Sequence, residues 1–595
     1  MKHLVDFKPL QRIKLPDIGV IDSAGLTVII GPNSSGKTRL LRDIEQRLAG
    51  EPHTLVVAQA VDIGKPDYEE LVECLKREGY ISEVRQPNGA VVLRSQTTFI
   101  GYSQQPLAEF DPNASAQWFA QYSAQPGRAD YERSQFLMVF GRMLMTALFL
   151  DRRLVSLAQV NGFDRNAQAP QSDLHVLYYN HQAQDDLWDE TTRVFSKAVW
   201  LDPTKPNILR FLAADGPPYP SDKDRRKADV MDEQREITQE GDGLKSYVAT
   251  CIALLLGRRP VCLIDEPELC LHPPQAYNLG RFIGKTAASS DRATFVATHS
   301  SHVLRGVIQT ASNLQIVRVT RQAGRFHAHH ISPATLRAIT KKPTVRAETI
   351  LDGVFAEGVV VVEADGDREV YQAVWETLVT EMQLDIHFAA VGGLGGVLDA
   401  CKFYKELKIP LAVVVDLDAI KDADQLQRIA AVLSDEARAS QLAKEAGAFM
   451  AKLKGLPPTI SADDVKRRIA DVGSLRMEWN QGDDLTVMRR LQDLAGDVDR
   501  MRRIKAGGVA AMPLEIETEL SALINNARSI GVFLVPVGEL EGWLTSEGIA
   551  VSKQTKWAWA IEAAAKVREL GAQKRDIWNF MRKVGAKLKT SRNTD

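Results

Sequence analysis

One octapeptide limits what this chain can fold into more than any other feature: Gly31-Pro32-Asn33-Ser34-Ser35-Gly36-Lys37-Thr38. It fits G-x-x-x-x-G-K-[ST] at every position and lies between a β-branched run (25–30) and a helical stretch that continues to about residue 48. The glycines let backbone N–H groups curl around phosphate oxygens, with Asn33 in the same loop. Lys37 reaches the β/γ oxygens, Thr38 offers a hydroxyl to Mg²⁺, and the helix N-terminus adds its positive dipole. A strand that feeds directly into a helix in this way predicts an α/β fold with a mostly parallel sheet. Two later apolar runs behave alike: 260–264 ends in Asp265-Glu266, and 293–298 ends at His299. A carboxylate at a strand end beside such a loop holds Mg²⁺ through water, which is the role expected of Asp265. The next one, Glu266, polarises the attacking water.

With 595 residues the chain exceeds the roughly 250–300 at which a single core stops growing, so two or more domains are expected. Lys and Arg total 74 against 76 Asp and Glu, a net charge of −2, so any nucleic-acid surface must be local rather than global. The five cysteines contain no CxxC pair, the usage of a reducing compartment. The longest apolar stretch, 136–150, contains Arg142 and is shorter than the ~20 residues that span a bilayer. A cytoplasmic protein without a membrane partner is expected.

The second half opens a new α/β pattern. The run 358–362 ends in Glu363, 411–415 ends in Asp416-Leu417-Asp418, and 531–537 leads into Glu539 and Glu541. In a parallel sheet the strand C-termini share one edge, so Glu363, Asp416 and Asp418 are expected to converge there. The i, i+2 spacing of Asp416 and Asp418 favours a common direction on a strand. Carboxylates gathered in this way repel one another unless a hard cation such as Mg²⁺ or Mn²⁺ sits among them.

These motifs carry a family resemblance. Residues 265–275, DEPELCLHPPQ, resemble the corresponding block of ABC-type ATPases in the OLD (overcoming lysogenization defect) and RecF/SMC-like groups. His299 resembles their γ-phosphate-sensing histidine, and residues 240–246 occupy the place of the ABC signature in degenerate form. The resemblance implies that Gly241 and Gly243 reach the nucleotide of a second protomer in a head-to-tail ATP-sandwich homodimer. Residues 359–371, followed by 391–396 and the DxD at 416–418, resemble the Toprim domain of topoisomerases, primases and OLD-family nucleases. Glu363 and Asp367 match the acids of the first Toprim motif, although Ala364 stands where glycine is usual and Gly366 where Ser or Thr is usual. Asp416 and Asp418 match the DxD motif, and Glu541, ahead of Glu539, resembles a later metal ligand.

The implied architecture is an ABC-type ATPase domain over 1–345, with a largely helical insertion at about 105–235 that includes a strongly helical 131–160 and serves dimerisation. A Toprim nuclease domain follows over 353–595. The implied activity is ATP hydrolysis coupled to metal-dependent cleavage of DNA, with RNA as the alternative. In related systems, the Gabija A subunit among them, this arrangement serves bacterial defence against phage, sometimes with a second defence protein. Two other readings compete: an ATP-driven sensor whose Toprim domain is idle, and a RecF-like repair ATPase.

Three lesser features complete the sequence. Gln104 or Gln105 is a candidate link between nucleotide and insertion, and His327 and His329 share a face of an exposed strand. The tail 566–592 carries nine Lys and Arg; with Trp578 and Phe580 interleaved, it is either a nucleic-acid groove or a solvated helix whose aromatics pack inward.

Overall fold

The structure, a computed structural model, describes the chain except for residues 1–2, 52, 96–108, 122–135, 165–169, 171, 203, 206, 216–233, 288–291, 335–336, 338–346, 457–459, 476–480, 500–503, 506, 550–555 and 595. Gln104, Gln105 and much of the charge-dense stretch 221–240 therefore lie outside the described residues. The chain divides into two compact units, Met1–Thr340 and Lys341–Asp595.

In the first unit β1 (Leu10–Leu15) and β2 (Gly19–Asp22) form a hairpin, followed by β3 (Leu26–Ile30), α1 (Lys37–Leu48) and β4 (Ala60–Ile63). β1 pairs with β2 and β4 in a small antiparallel sheet. The central sheet adds β5 (Met145–Leu148), β6 (Val261–Asp265), β7 (Ala293–Ala297), β8 (Leu314–Gln322) and β9 (Arg325–Ile331) in the order β9-β8-β3-β7-β6-β5. Every pairing in it is parallel except the β8–β9 hairpin. All residues of β3, β6 and β7 are buried, which is why these strands read as unbroken apolar runs rather than alternating ones. Helices α2 (Asp242–Leu256), α3 (Pro273–Ala287) and α4 (Ser301–Thr310) connect and cover the later strands.

The long excursion between β4 and α2 departs from the helical insertion expected of it. Within 131–160 the structure places β5, flanked by the 3-10 helices Gly141–Leu144 and Arg153–Leu157, as the sheet strand next to β6. All four residues of β5 are buried, so the sequence there has no polar face, and a short continuous apolar run does not distinguish a buried strand from a buried helix. Met143 and Met145 belong to the core, whereas Met138 is exposed. The excursion also carries antiparallel strands at Lys197–Leu201, Phe211–Asp215 and Arg235–Glu236 beside the helices Asp173–Tyr179 and His181–Phe195.

The second unit is built on a parallel sheet of β10 (Gly358–Val362), β11 (Ile386–Ala390), β12 (Leu411–Val415) and β13 (Val532–Leu534), in the order β11-β10-β12-β13. Helix α5 (Asp365–Met382) follows β10 and α6 (Leu394–Glu406) follows β11. Helices α7 (Ala423–Leu433), α8 (Glu436–Gly455), α9 (Ala462–Gly473), α10 (Gln481–Val498) and α11 (Leu514–Ile530) fill the span between β12 and β13, as their amphipathic sequence predicts. Helices α12 (Lys556–Leu570) and α13 (Asp576–Thr594) close the unit.

The tail is not a stacking platform. Trp578 is fully buried and Phe580 nearly so, in a core shared with Tyr371, Trp375 and Trp543. Several tail cations are already engaged: Arg568 with Glu369 and Glu376, Arg575 with Glu547, and Arg582 with Glu381. His327 Nδ1 donates to Asp17 Oδ2 at 2.9 Å.

Candidate functional site

The phosphate-binding loop is held in shape by backbone contacts that only glycine permits. Gly31 has φ +143, and a Cβ there would stand 2.0 Å from the Val319 carbonyl oxygen. Gly36 has φ +102, and a Cβ there would press on the Phe326 ring at 2.7 Å. Both obstacles come from the β8–β9 hairpin, so the outer edge of the sheet fixes the loop. Asn33 and Ser34 form its exposed tip. Behind it, fully buried Asp43 on α1 accepts from the N–H groups of Val56, Val57 and Ala58, anchoring the segment that follows the helix.

Lys37, at the start of α1, donates to the carbonyls of Gly31 (2.9 Å) and Pro32 (2.8 Å). Burial pulls its ammonium pKa down, opposed by the charges of Glu266, Glu268 and Asp265. Thr38 Oγ1 donates to Asp265 Oδ1 at 3.0 Å, joining the loop to the end of β6. Burial raises the Asp265 carboxyl to about 6, with the Thr38 hydrogen bond opposing and Glu266 adding to the rise. Glu266 sits one residue beyond the strand at φ +45, a left-handed conformation unusual for a side-chain-bearing residue. His299 Nδ1 lies 3.5 Å from Glu266 Oε1 and 3.1 Å from Glu268 Oε1.

Glu268 was not singled out by the sequence reading. Buried, it accepts from Thr298 Oγ1 and from the His299 N–H, both at 2.8 Å, and so orients the histidine. Its signal lay in the second glutamate of the DEPE run. Gly241 caps the N-terminus of α2, and Gly243 lies in its first turn, where a Cβ would come within 2.4 Å of the Cys270 carbonyl oxygen. Gly243 thus lets the signature segment pack against the loop that follows β6.

In the second unit the sequence-predicted acids are brought together at the C-terminal edge of the sheet. Glu363 follows β10, and its Oε1 accepts from the Asp416 N–H, which follows β12, at 3.1 Å. Asp367 lies in the first turn of α5 and accepts from the Ala364 N–H at 2.9 Å. Burial raises the Asp416 carboxyl to about 8, and the charges of Asp367 and Glu363 add to the rise. Burial likewise lifts Asp367 to about 6, with Glu541 adding. Glu363 is raised by burial and by Asp367 and Asp418. Five carboxylates, Glu363, Asp367, Asp416, Asp418 and Glu541, therefore share one electrostatic field.

One expectation is corrected here. Asp418 does not continue a strand beside Asp416; the chain enters the 3-10 helix Leu417–Lys421, because β12 ends at Val415. The pair therefore does not share a strand face. Ala364, where glycine is usual, has φ −134 and ψ 165, ordinary extended backbone that needs no glycine. A side chain at Gly366 would meet only ordinary contact, with Ala560 Cβ at 3.5 Å.

Three lysines reach the acid cluster: Lys421 Nζ lies 3.6 Å from Asp418 Oδ2, and no sequence motif announces the other two. Lys505 Nζ lies 3.6 Å from Asp418 Oδ2 and 3.7 Å from Glu539 Oε2. Lys556 Nζ lies 3.0 Å from Glu539 Oε2 and 3.2 Å from Glu541 Oε1. Among the described residues, no three His, Cys, Asp or Glu side chains converge into a ready metal shell. The donor set nevertheless suits a hard divalent cation: it is all carboxylate oxygen, and burial and neighbouring carboxylates push Glu363, Asp367 and Asp416 toward their protonated forms, a repulsion that such a cation relieves. Thr38 and Asp265 form a second, smaller oxygen set of the same chemistry.

Comparison with known proteins agrees with this division. Residues 207–305 match the family model "AAA domain, putative AbiEii toxin, Type IV TA system". Residues 354–418 match "Overcoming lysogenization defect protein-like, TOPRIM domain". No curated protein matches the chain significantly. Among solved structures, an SMC head bound to the C-winged helix domain of ScpA is 12% identical with a TM-score of 0.31, covering 55% of this chain and 98% of its own. The SMC head domain from Thermotoga maritima is 13% identical with a TM-score of 0.26, covering 55% and 99%. Both are distant. Among the described residues, no helix is long and apolar enough to cross a membrane. The chain carries an ATPase domain followed by an OLD-like Toprim domain, in the order of an OLD-family ATPase–Toprim protein.

Proposed function

We propose that this protein is an ATP-dependent nuclease that hydrolyses phosphodiester bonds in DNA at the Toprim carboxylates, under the control of its ATPase domain. The observation that carries the reading is the gathering of Glu363, Asp367, Asp416, Asp418 and Glu541 at one sheet edge, in a chain that also joins a phosphate loop to Asp265 through Thr38.

At the nucleotide, the loop N–H groups and Lys37 bind the phosphates, and Lys37 exchanges its two carbonyl partners for phosphate oxygens. Thr38 and Asp265 would hold Mg²⁺. Glu266 accepts the proton of the attacking water, and His299, oriented by Glu268, faces the γ-phosphate. Gly241 and Gly243 reach the nucleotide of a second copy in a head-to-tail homodimer, with the excursion between β4 and α2 contributing to dimerisation. At the carboxylate edge, Glu363, Asp367, Asp416, Asp418 and Glu541 would hold Mg²⁺ or Mn²⁺, which supplies an activated water and stabilises the leaving oxygen. Lys505 and Lys556 carry the positive charge nearest to an incoming phosphodiester. Defence of a bacterial cell against phage, alone or with a second protein, is the role this chemistry suits.

The test is nicking of supercoiled plasmid with Mn²⁺, with and without ATP, by the full chain and by Glu363→Ala and Asp416→Ala. Cleavage that survives both substitutions removes the assignment. The lysine ion pairs favour a second reading, an ATP-driven sensor with an idle Toprim site. Intact ATP hydrolysis without nicking of DNA or RNA under any nucleotide condition would support it.

A further inference from the structure

Arg153, in the 3-10 helix after β5, is 1% exposed, yet among the described residues it is not bonded to any carboxylate. Its two terminal nitrogens are spent on backbone and hydroxyl oxygens, while Nε finds no partner among the described residues. Nη1 donates to Ser246 Oγ at 2.6 Å and to the Glu266 carbonyl at 3.3 Å; Nη2 donates to the Glu266 carbonyl at 3.2 Å and to that of Asp265. Taking a guanidinium out of water is costly unless most of its donors find partners, so a buried arginine that serves two successive carbonyls holds those peptides firmly.

The held peptides are the ones that aim the acids. Glu266 stands at φ +45, a conformation unfavourable for a side-chain-bearing residue that persists only where its surroundings impose it. Its N–H is fixed by the Ala297 carbonyl of β7 at 2.8 Å, and its carbonyl is fixed by Arg153. The direction of the Glu266 carboxylate therefore depends on Arg153 as much as on β6. Ser246, the third partner, lies in the opening turns of α2, which also abut the same loop through Gly243 and the Cys270 carbonyl. A shift of α2 pulls on Arg153, and through it on the turn that carries Glu266.

We propose that Arg153 is a positioning residue for ATP hydrolysis: it holds the Asp265–Glu266 turn in its left-handed form, and through Ser246 it couples that turn to helix α2. The inference rests on the ATPase reading above. Arg153 bonds to the carbonyls behind the turn rather than to the nucleotide loop, so its loss affects turnover and spares nucleotide affinity.

The experiment measures steady-state ATP hydrolysis and the affinity of a fluorescent ATP analogue, with Mg²⁺, on the full chain. The variants are Ser246→Ala, Arg153→Lys and Arg153→Ala, with Glu266→Gln as reference. Ser246→Ala removes one hydrogen bond and lowers kcat by roughly 3–10-fold, with KM and analogue affinity within about twofold. Arg153→Ala lowers kcat by at least about 30-fold in the same pattern, and Arg153→Lys, which reaches fewer of the acceptors, recovers part of it. Wild-type turnover in Ser246→Ala overturns the coupling, whether or not Arg153→Ala folds. Loss of analogue affinity in step with loss of turnover also overturns it, because that pattern belongs to a merely structural arginine. If the wild type hydrolyses no more ATP than Glu266→Gln, the ATPase reading itself fails, and the inference falls with it.

Discussion

The two sites solve opposite electrostatic problems. The nucleotide loop receives an anion and is made mainly of backbone: two left-handed glycines, a helix N-terminus and one lysine. On the proposed reading the Toprim edge receives cations, and it is made of side chains that follow three strands and lie in the helix after the first. Each site carries internal stand-ins for what it is built to hold. Lys37 rests on the carbonyls of Gly31 and Pro32, while Lys505 and Lys556 rest among the acids. The difference lies in what sets the geometry. A backbone site tolerates almost no added atoms, whereas a side-chain site tolerates backbone changes and fails when an oxygen is lost.

That contrast can be broken experimentally. The largest expected effects separate the sites: Glu363→Ala or Asp416→Ala abolishes divalent-dependent nicking while ATP hydrolysis stays within about twofold of wild type, the two acting at different centres. Glu266→Gln lowers ATP turnover by roughly 10²–10⁴-fold, the range for removing a positioned base, and leaves nucleotide binding intact. Gly31→Ala forces a Cβ onto the Val319 carbonyl and costs about 1–3 kcal/mol of stability, visible as a lower melting temperature and weaker nucleotide binding.

The pH dependence of the metal-free protein is a smaller effect. Asp416, at about 8, and Asp367, at about 6, both lie above the unfolded carboxylate value near 3.9. The folded state thus binds more protons than the unfolded one. The associated stability is full below pH 4 and is lost as pH rises through 6 and then 8. Melting in EDTA should therefore fall across that window, and Mg²⁺ or Mn²⁺ should flatten the fall; a melting temperature that rises from pH 5 to 8 in EDTA would contradict the cluster. The smallest effect is Ala364→Gly, which leaves nicking within about twofold, since position 364 has no need of glycine's freedom.

Much of this was legible in the sequence because the chemistry clusters locally. The phosphate loop, the Asp265-Glu266 pair and the acids after β10 and β12 each sit at the end of a continuous apolar run, which marks both the strand and the edge where it stops. What remained hidden came from distant chain. Arg153 lies 112 residues before Asp265 and meets its carbonyl only because β5 pairs beside β6. β5 itself was concealed by uniform burial, which erases periodicity. Lys505 and Lys556 arrive from segments beyond the parallel strands that carry the first acids, and nothing in their neighbours distinguishes them from ordinary surface lysines. For Trp578 and Phe580 the sequence leaves stacking on bases and inward packing both open, and their burial resolves them as core.

The position of β3 in the middle of its sheet has a consequence for synthesis. Its neighbours on either side, β7 and β8, emerge more than 260 residues later, at Ala293–Ala297 and Leu314–Gln322. At roughly 5–20 residues per second on the ribosome, the strand that carries the nucleotide loop waits on the order of 15–60 s for its flanking hydrogen bonds. A nascent chain has no assembled nucleotide site during that interval, and the exposed edges of Leu26–Ile30 are open to wrong partners. Ligand binding can begin to protect this unit only once the hairpin closing the sheet has left the ribosome.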